Sequence, residues 1–92
     1  MIVFELPNAL QPFAGGRAEV RIPAPCGTVG DALGALAALH AGVVDRVMDE
    51  RALVRRHVNV FVDGENIRFA DGLDTAVRDG SSIAIVAAVS GG

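Results

Sequence analysis

The stretch His57-Val58-Asn59-Val60-Phe61-Val62-Asp63-Gly64 admits few folds. Its alternation puts Val58, Val60 and Val62 on one face of a strand and Asn59 and Phe61 on the other, and a one-residue slip would turn every valine to solvent. A strand of this kind belongs in a sheet with one face covered and one face open. Asp63-Gly64 then marks a two-residue hairpin, because the turn that matches strand twist needs positive φ at both central positions. The hairpin predicts a short returning strand around Ile67 to Phe69. A second apolar segment, Ile83-Ala84-Ile85-Val86-Ala87-Ala88, reads as a buried final strand. With 92 residues, 51% of them apolar, the chain can build one small core and no second domain.

From its start the chain reads as follows. Ile2-Val3-Phe4-Glu5-Leu6 is a first strand, ended by Pro7-Asn8. Pro12 and Gly15-Gly16 turn it into a second, in which Ala18, Val20 and Ile22 share a face. Pro23, Pro25 and Gly27 stop that strand, and Thr28 is placed to cap a helix whose first turn holds Asp31. Val29, Ala32, Leu33, Leu36 and Leu39 or His40 recur at helical spacing, with Gly42 as a left-handed terminator, so one main helix spans Val29 to Ala41. Val43 to Glu50 adds a short helical turn, and residues 51–56 read as a polar connection. Asp71-Gly72, Asp74 and Asp79-Gly80 break the chain repeatedly, leaving Leu73 and Val77 to anchor a 3₁₀ or irregular segment under the sheet. Placing the first and last strands side by side, with the helix across one face, gives an α+β roll around a mixed four- to five-stranded sheet. Leu33 and Leu36 are expected to be buried with Val3, Val60 and Ile85.

Several function classes drop out. The net charge is −3, with the cations scattered, so no basic field exists to hold a nucleic-acid backbone. No apolar run reaches membrane-spanning length and no signal peptide opens the chain, so a cytoplasmic location is expected. Cys26 is the only cysteine, which excludes an internal disulfide, and it reads as a small apolar loop residue ahead of the helix. His40 and His57 have no ligand-spaced neighbours, so no metal is expected. Arg51, Arg55 and Arg56 form a charge run that reads as a solvated face. Ser81, Ser82 and Ser90 lack a partnered base, and no catalytic site is visible.

The chemistry is expected at the C-terminus, Val89-Ser90-Gly91-Gly92. Two successive glycines have no side chains, so a strand ending in them can pass through a slot that any Cβ would block. The terminal carboxylate of Gly92 is then the reactive group, with Gly91, Ser90 and Val89 giving it access. A domain over residues 1–88 is expected to release residues 89–92 as a flexible tail. All eight basic side chains are arginines. Without lysine, an activated acyl group at Gly92 meets no side-chain amine of its own chain.

The chain resembles the ubiquitin-like sulfur carriers of the MoaD/ThiS family along essentially its whole length. The residues that carry the likeness are Ile2-Val3-Phe4, Val58-Asn59-Val60-Phe61-Val62, Asp71-Gly72, Asp79-Gly80 and the closing Val89-Ser90-Gly91-Gly92. Glu65-Asn66 leading into Ile67-Arg68-Phe69, and Gly72-Leu73 before Thr75-Ala76, bring it nearest the branch that serves cysteine synthesis. Ala87 departs from the pattern, since such carriers often have proline there. The resemblance implies a ubiquitin-like β-grasp fold and no cofactor of its own. It also implies ATP-dependent adenylation of Gly92 by a ThiF/MoeB-like enzyme, conversion to a thiocarboxylate, and delivery to a cysteine synthase-like or thiazole synthase-like enzyme. A protein modifier conjugated through Gly92 and the small subunit of molybdopterin synthase are the alternatives within the same family. Phe61, on the open face of the sheet, is the expected docking residue for these partners.

Overall fold

The computed structural model describes residues 1–23 and 26–87. In that range the chain folds as β1 (Ile2–Glu5), β2 (Glu19–Ile22), α1 (Val29–Leu39), α2 (Ala41–Val47), β3 (Val58–Val62), β4 (Glu65–Asn66) and β5 (Ser82–Ala87). The described strands make one five-stranded mixed sheet in the order β2-β1-β5-β3-β4. β1 and β5 are parallel neighbours, as expected, with Phe4 beside Ile83; the other pairings are antiparallel. This is the ubiquitin-like β-grasp roll, its main helix α1 followed by the shorter α2 where a helical turn was expected from Val43 to Glu50.

The hydrophobic pattern explains the layers. Val29, Ala32, Leu33 and Leu36 lie on one face of α1 and are all buried, in one core with Phe4, Val20, Val60, Ile83 and Ile85 of the sheet. Thr28 caps α1, its Oγ1 accepting from the Asp31 N–H at 3.1 Å. Val58, Val60 and Val62 point inward while Asn59 and Phe61 are half-buried on the opposite face, as the alternation requires. At the hairpin, Asp63 and Gly64 have φ of 48° and 89°. Both central residues are therefore left-handed, which selects the Asp-Gly pair.

Three expectations fail, each for a physical reason. The main helix ends at Leu39 instead of Ala41, and Gly42 is not its terminator. His40, at φ −142° and ψ 73°, leaves the helical region, and α2 starts afresh at Ala41 with Gly42 inside it and Val43 and Val47 fully buried. Continuing the period of α1 from Leu36 would bring His40 to the inward position, and a break there keeps a polar ring out of the core. In β1 the buried residues are Ile2 and Phe4, with Val3 on the other face. Three successive apolar residues leave the phase of a strand open, and pairing with Val20 and Ile83 decides it. Ile67–Phe69 is a 3₁₀ turn and the returning strand is only Glu65–Asn66. The Asn66 side chain accepts from the Arg68 N–H at 2.9 Å and starts the turn at once. Gly72–Asp74 forms the anticipated 3₁₀ turn, with Val77 buried and Leu73 half-buried against the core.

Candidate functional site

β5 is the strand that leads toward the C-terminus, and it sits in the middle of the sheet. It is bonded to β1 on one side and β3 on the other, with Ala87 opposite Val58 and Ile85 opposite Val60. Ile83 and Ile85 are buried at 0% and 2% exposure. The ladder to β1 holds the strand from Ser82 to Ala84, and the ladder to β3 continues to its last described residue, Ala87. Gly92, Gly91, Ser90 and Val89, the residues expected to carry and expose the reactive carboxylate, lie outside the described residues. So does Ala88, the expected end of the final strand.

The face of the sheet away from the helices is open. On it Phe61 stands opposite Ala84, Asn59 opposite Val86, and Val3 opposite Ser82. Val86 is 47% exposed. Ala84, Val86 and Val3 give the β5 and β1 side of this face a nonpolar surface beside Phe61, and polar Asn66 of β4 stands opposite the ring on its other side. Asn66 Nδ2 donates to Asn59 Oδ1 at 3.1 Å, and Ser82 Oγ donates to Glu5 Oε1 at 3.1 Å. Phe69, expected in a strand, is instead presented by the 3₁₀ turn at 85% exposure. No sequence signal separated a strand residue from a turn residue there except the capping Asn66.

The weaker candidates have structural roles. Arg55 donates through Nε and Nη2 to the Asp45 carbonyl, and Arg51 pairs with Asp49, so two members of the arginine run are tied to their own chain. Ser81 Oγ accepts from the Arg78 N–H at 2.9 Å and closes the turn before β5. Cys26 packs half-buried against the core. Among the described residues no three His, Cys, Asp or Glu side chains are grouped to hold a metal, and no helix is long and apolar enough to cross a membrane.

Residues 4–92 match the ThiS family. The chain is 37% identical over 93 residues to the sulfur carrier protein CysO of Mycobacterium tuberculosis, covering 99% of this chain and 98% of the relative. It is 37% identical over 65 residues to small archaeal modifier protein 3 of Haloferax volcanii, covering 71% of this chain and 70% of that one. Its fold superposes on a crystal structure of the BexX/CysO complex of Amycolatopsis orientalis with a TM-score of 0.89, 33% identity and full coverage of both chains. A family match reaching from the first strand to the last residue, on a sheet of the same shape, leads to one conclusion. The chain belongs to the ThiS family of ubiquitin-like sulfur carriers and is similar to carriers of the CysO type.

Proposed function

We propose that this chain carries sulfur on the C-terminal carboxylate of Gly92 and acts as a co-substrate without catalytic side chains. The observation that supports the reading most is the central, doubly bonded β5 directed toward Val89-Ser90-Gly91-Gly92, within a family match that extends to residue 92. A carboxylate is a poor electrophile and must first be activated. A ThiF/MoeB-like enzyme supplies ATP; the Gly92 carboxylate attacks the α-phosphorus, pyrophosphate leaves, and an acyl-adenylate forms. Sulfide then adds to the acyl carbon and AMP departs, leaving a thiocarboxylate. Its sulfur is the nucleophile delivered to a cysteine synthase-like or thiazole synthase-like acceptor, inside a site that excludes water. Gly91 lets the tail enter such sites, and Phe61 with the nonpolar surface beside it docks the domain outside them. That a CysO-type relative was crystallised in complex with a second protein, BexX, supports docking by the folded domain. The cytoplasm, where ATP and the activating enzyme meet, is the compartment this chemistry requires.

A second reading has a specific observation behind it, the likeness to a small archaeal modifier protein. Conjugation would use the same acyl-adenylate and differ only in the nucleophile, a lysine amine in place of sulfide. The test combines the purified protein, its mass first shown to end at Gly92, with its activating enzyme, ATP and sulfide. Replacement of one oxygen by sulfur, localised to Gly92 in the fragment spectrum, is the expected result. If Gly92 forms amide adducts with lysines of other proteins and never acquires sulfur, the modifier reading replaces the carrier.

A further inference from the structure

The sheet ends on one side at β2, whose outer edge carries Glu19 and Arg21 two residues apart. The Leu6 N–H donates to the Ala18 carbonyl at 2.8 Å, and Phe4 and Ile2 stand opposite Val20 and Ile22. Antiparallel bonding alternates, so Ala18, Val20 and Ile22 direct their backbone groups toward β1 while Glu19 and Arg21 direct theirs to the open edge. Among the described residues no backbone group of another element bonds to Glu19 or Arg21 there. Both side chains are exposed, and neither belongs to an ion pair among the described residues. Glu19 even stands opposite Glu5 in its own sheet, an unfavourable like-charge pair.

We propose that this edge pairs with the same edge of a second copy of the chain, antiparallel and centred on Val20. In that register Glu19 lies opposite the partner's Arg21, and Arg21 opposite the partner's Glu19. Each such pair exchanges two backbone hydrogen bonds, and each sets a carboxylate beside a guanidinium on the open face. The neighbouring two-fold registers fail. Centring on Arg21 opposes two arginines and brings Glu19 against the partner's Pro23, which has no N–H to donate; centring on Glu19 opposes two glutamates. Pro23 also ends the ladder, so the contact is short and the association reversible. Beside the edge runs an open groove of about 580 Å³ lined by Arg17, Glu19, Val20, Arg21, Leu39 and His40. Leu39, 57% exposed on its rim, supplies apolar surface for the second copy to cover. β1 separates this edge from β5, so both copies keep β5 and the Phe61 face clear.

Sedimentation equilibrium of the full chain over a range of concentrations tests the pairing. The apparent mass should rise from 9.5 kDa toward twice that value. Glu19→Arg and Arg21→Glu, each alone, place like charges in both symmetric contacts and should weaken association on the order of tenfold. An equimolar mixture of the two single variants should regain it, because each contact is again a carboxylate with a guanidinium. Unchanged melting of each variant at low concentration checks that the fold is intact. The proposal is overturned if the parent chain stays at 9.5 kDa up to about 1 mM. It is equally overturned if the single variants associate as well as the parent, or if the mixture is no heavier than its components.

Discussion

The Arg68 guanidinium donates to the carbonyl oxygen of Val58 at 2.5 Å, tying the turn after the hairpin to the first residue of β3. The same side chain reaches the carbonyls of Arg55 and Arg56 at 3.1 and 3.4 Å and Asn59 Oδ1 at 3.3 Å. One planar fork thus satisfies acceptors along residues 55–59, where the chain returns from α2 to the sheet. A lysine ammonium cannot span that set. Arg68→Lys should cost about 1–2 kcal/mol, below the full value of a charged hydrogen-bond set because the side chain is exposed. Urea unfolding measures it, and an unchanged midpoint would mean that water serves these carbonyls equally well.

Leu36 is fully buried between α1 and the sheet. Leu36→Ala removes its packing and leaves a cavity, at an expected cost of about 2–5 kcal/mol. For a domain of this size each kcal/mol lowers the melting temperature by roughly 4–8 °C. Calorimetry should therefore show a drop of at least about 8 °C; a smaller one would show that α1 settles into the space.

Asp49 organises the turn after α2. Its Oδ1 accepts from the N–H groups of Arg51 at 2.8 Å and Leu53 at 3.1 Å, and Ala52 between them is held at φ 60°. The Leu53 N–H above all, then the Arg51 N–H and guanidinium, favour the ionised carboxyl and hold its pKa below 3.8 against the opposing effect of burial. A depressed folded pKa gives stability that is fully present above the unfolded value and is lost as pH falls through the folded one. Asp49→Asn keeps an acceptor but removes the titration, so its stability difference from the parent should shrink as pH drops below 3.8. A difference constant from neutral pH to pH 2 would contradict this.

Phe61→Ala tests the open face. Because the ring is half-buried on the side away from the core, the fold should survive while activation or delivery slows. Rates of both steps with purified partners, unchanged at limiting carrier concentration, would remove Phe61 from the docking surface.

Gly92 tests the tail. An added residue moves the carboxylate by up to about 3.3–3.6 Å, and a displacement of about 1 Å from attack geometry can lower a rate on the order of a hundredfold. Deleting Gly92, or appending a residue to it, should abolish thiocarboxylate formation and leave the melting temperature unchanged, since glycine has no side chain to bury. An extended protein that gains sulfur without trimming would defeat the carrier reading.

Sequence alone determined the features that depend on local chemistry. The alternation of Val58, Val60 and Val62 assigns β3 its two faces, because one-sided burial tolerates only one phase. Asp63-Gly64 specifies the hairpin, Thr28 the start of α1, and the apolar run after Ser82 the last strand. Gly91-Gly92, and with it the expected chemistry, is legible only as sequence. Tertiary structure decided whatever local preference left balanced. The phase of Ile2-Val3-Phe4 was set by Val20 and Ile83 on flanking strands, since any of the three residues could face a core. The break at His40 follows from what the continued helix would have buried, which spacing cannot weigh. Arg68 and the edge of β2 belong to the same class. Their bonding depends on which carbonyls lie within reach and which strand ends the sheet, and both are consequences of chain packing between residues distant in sequence.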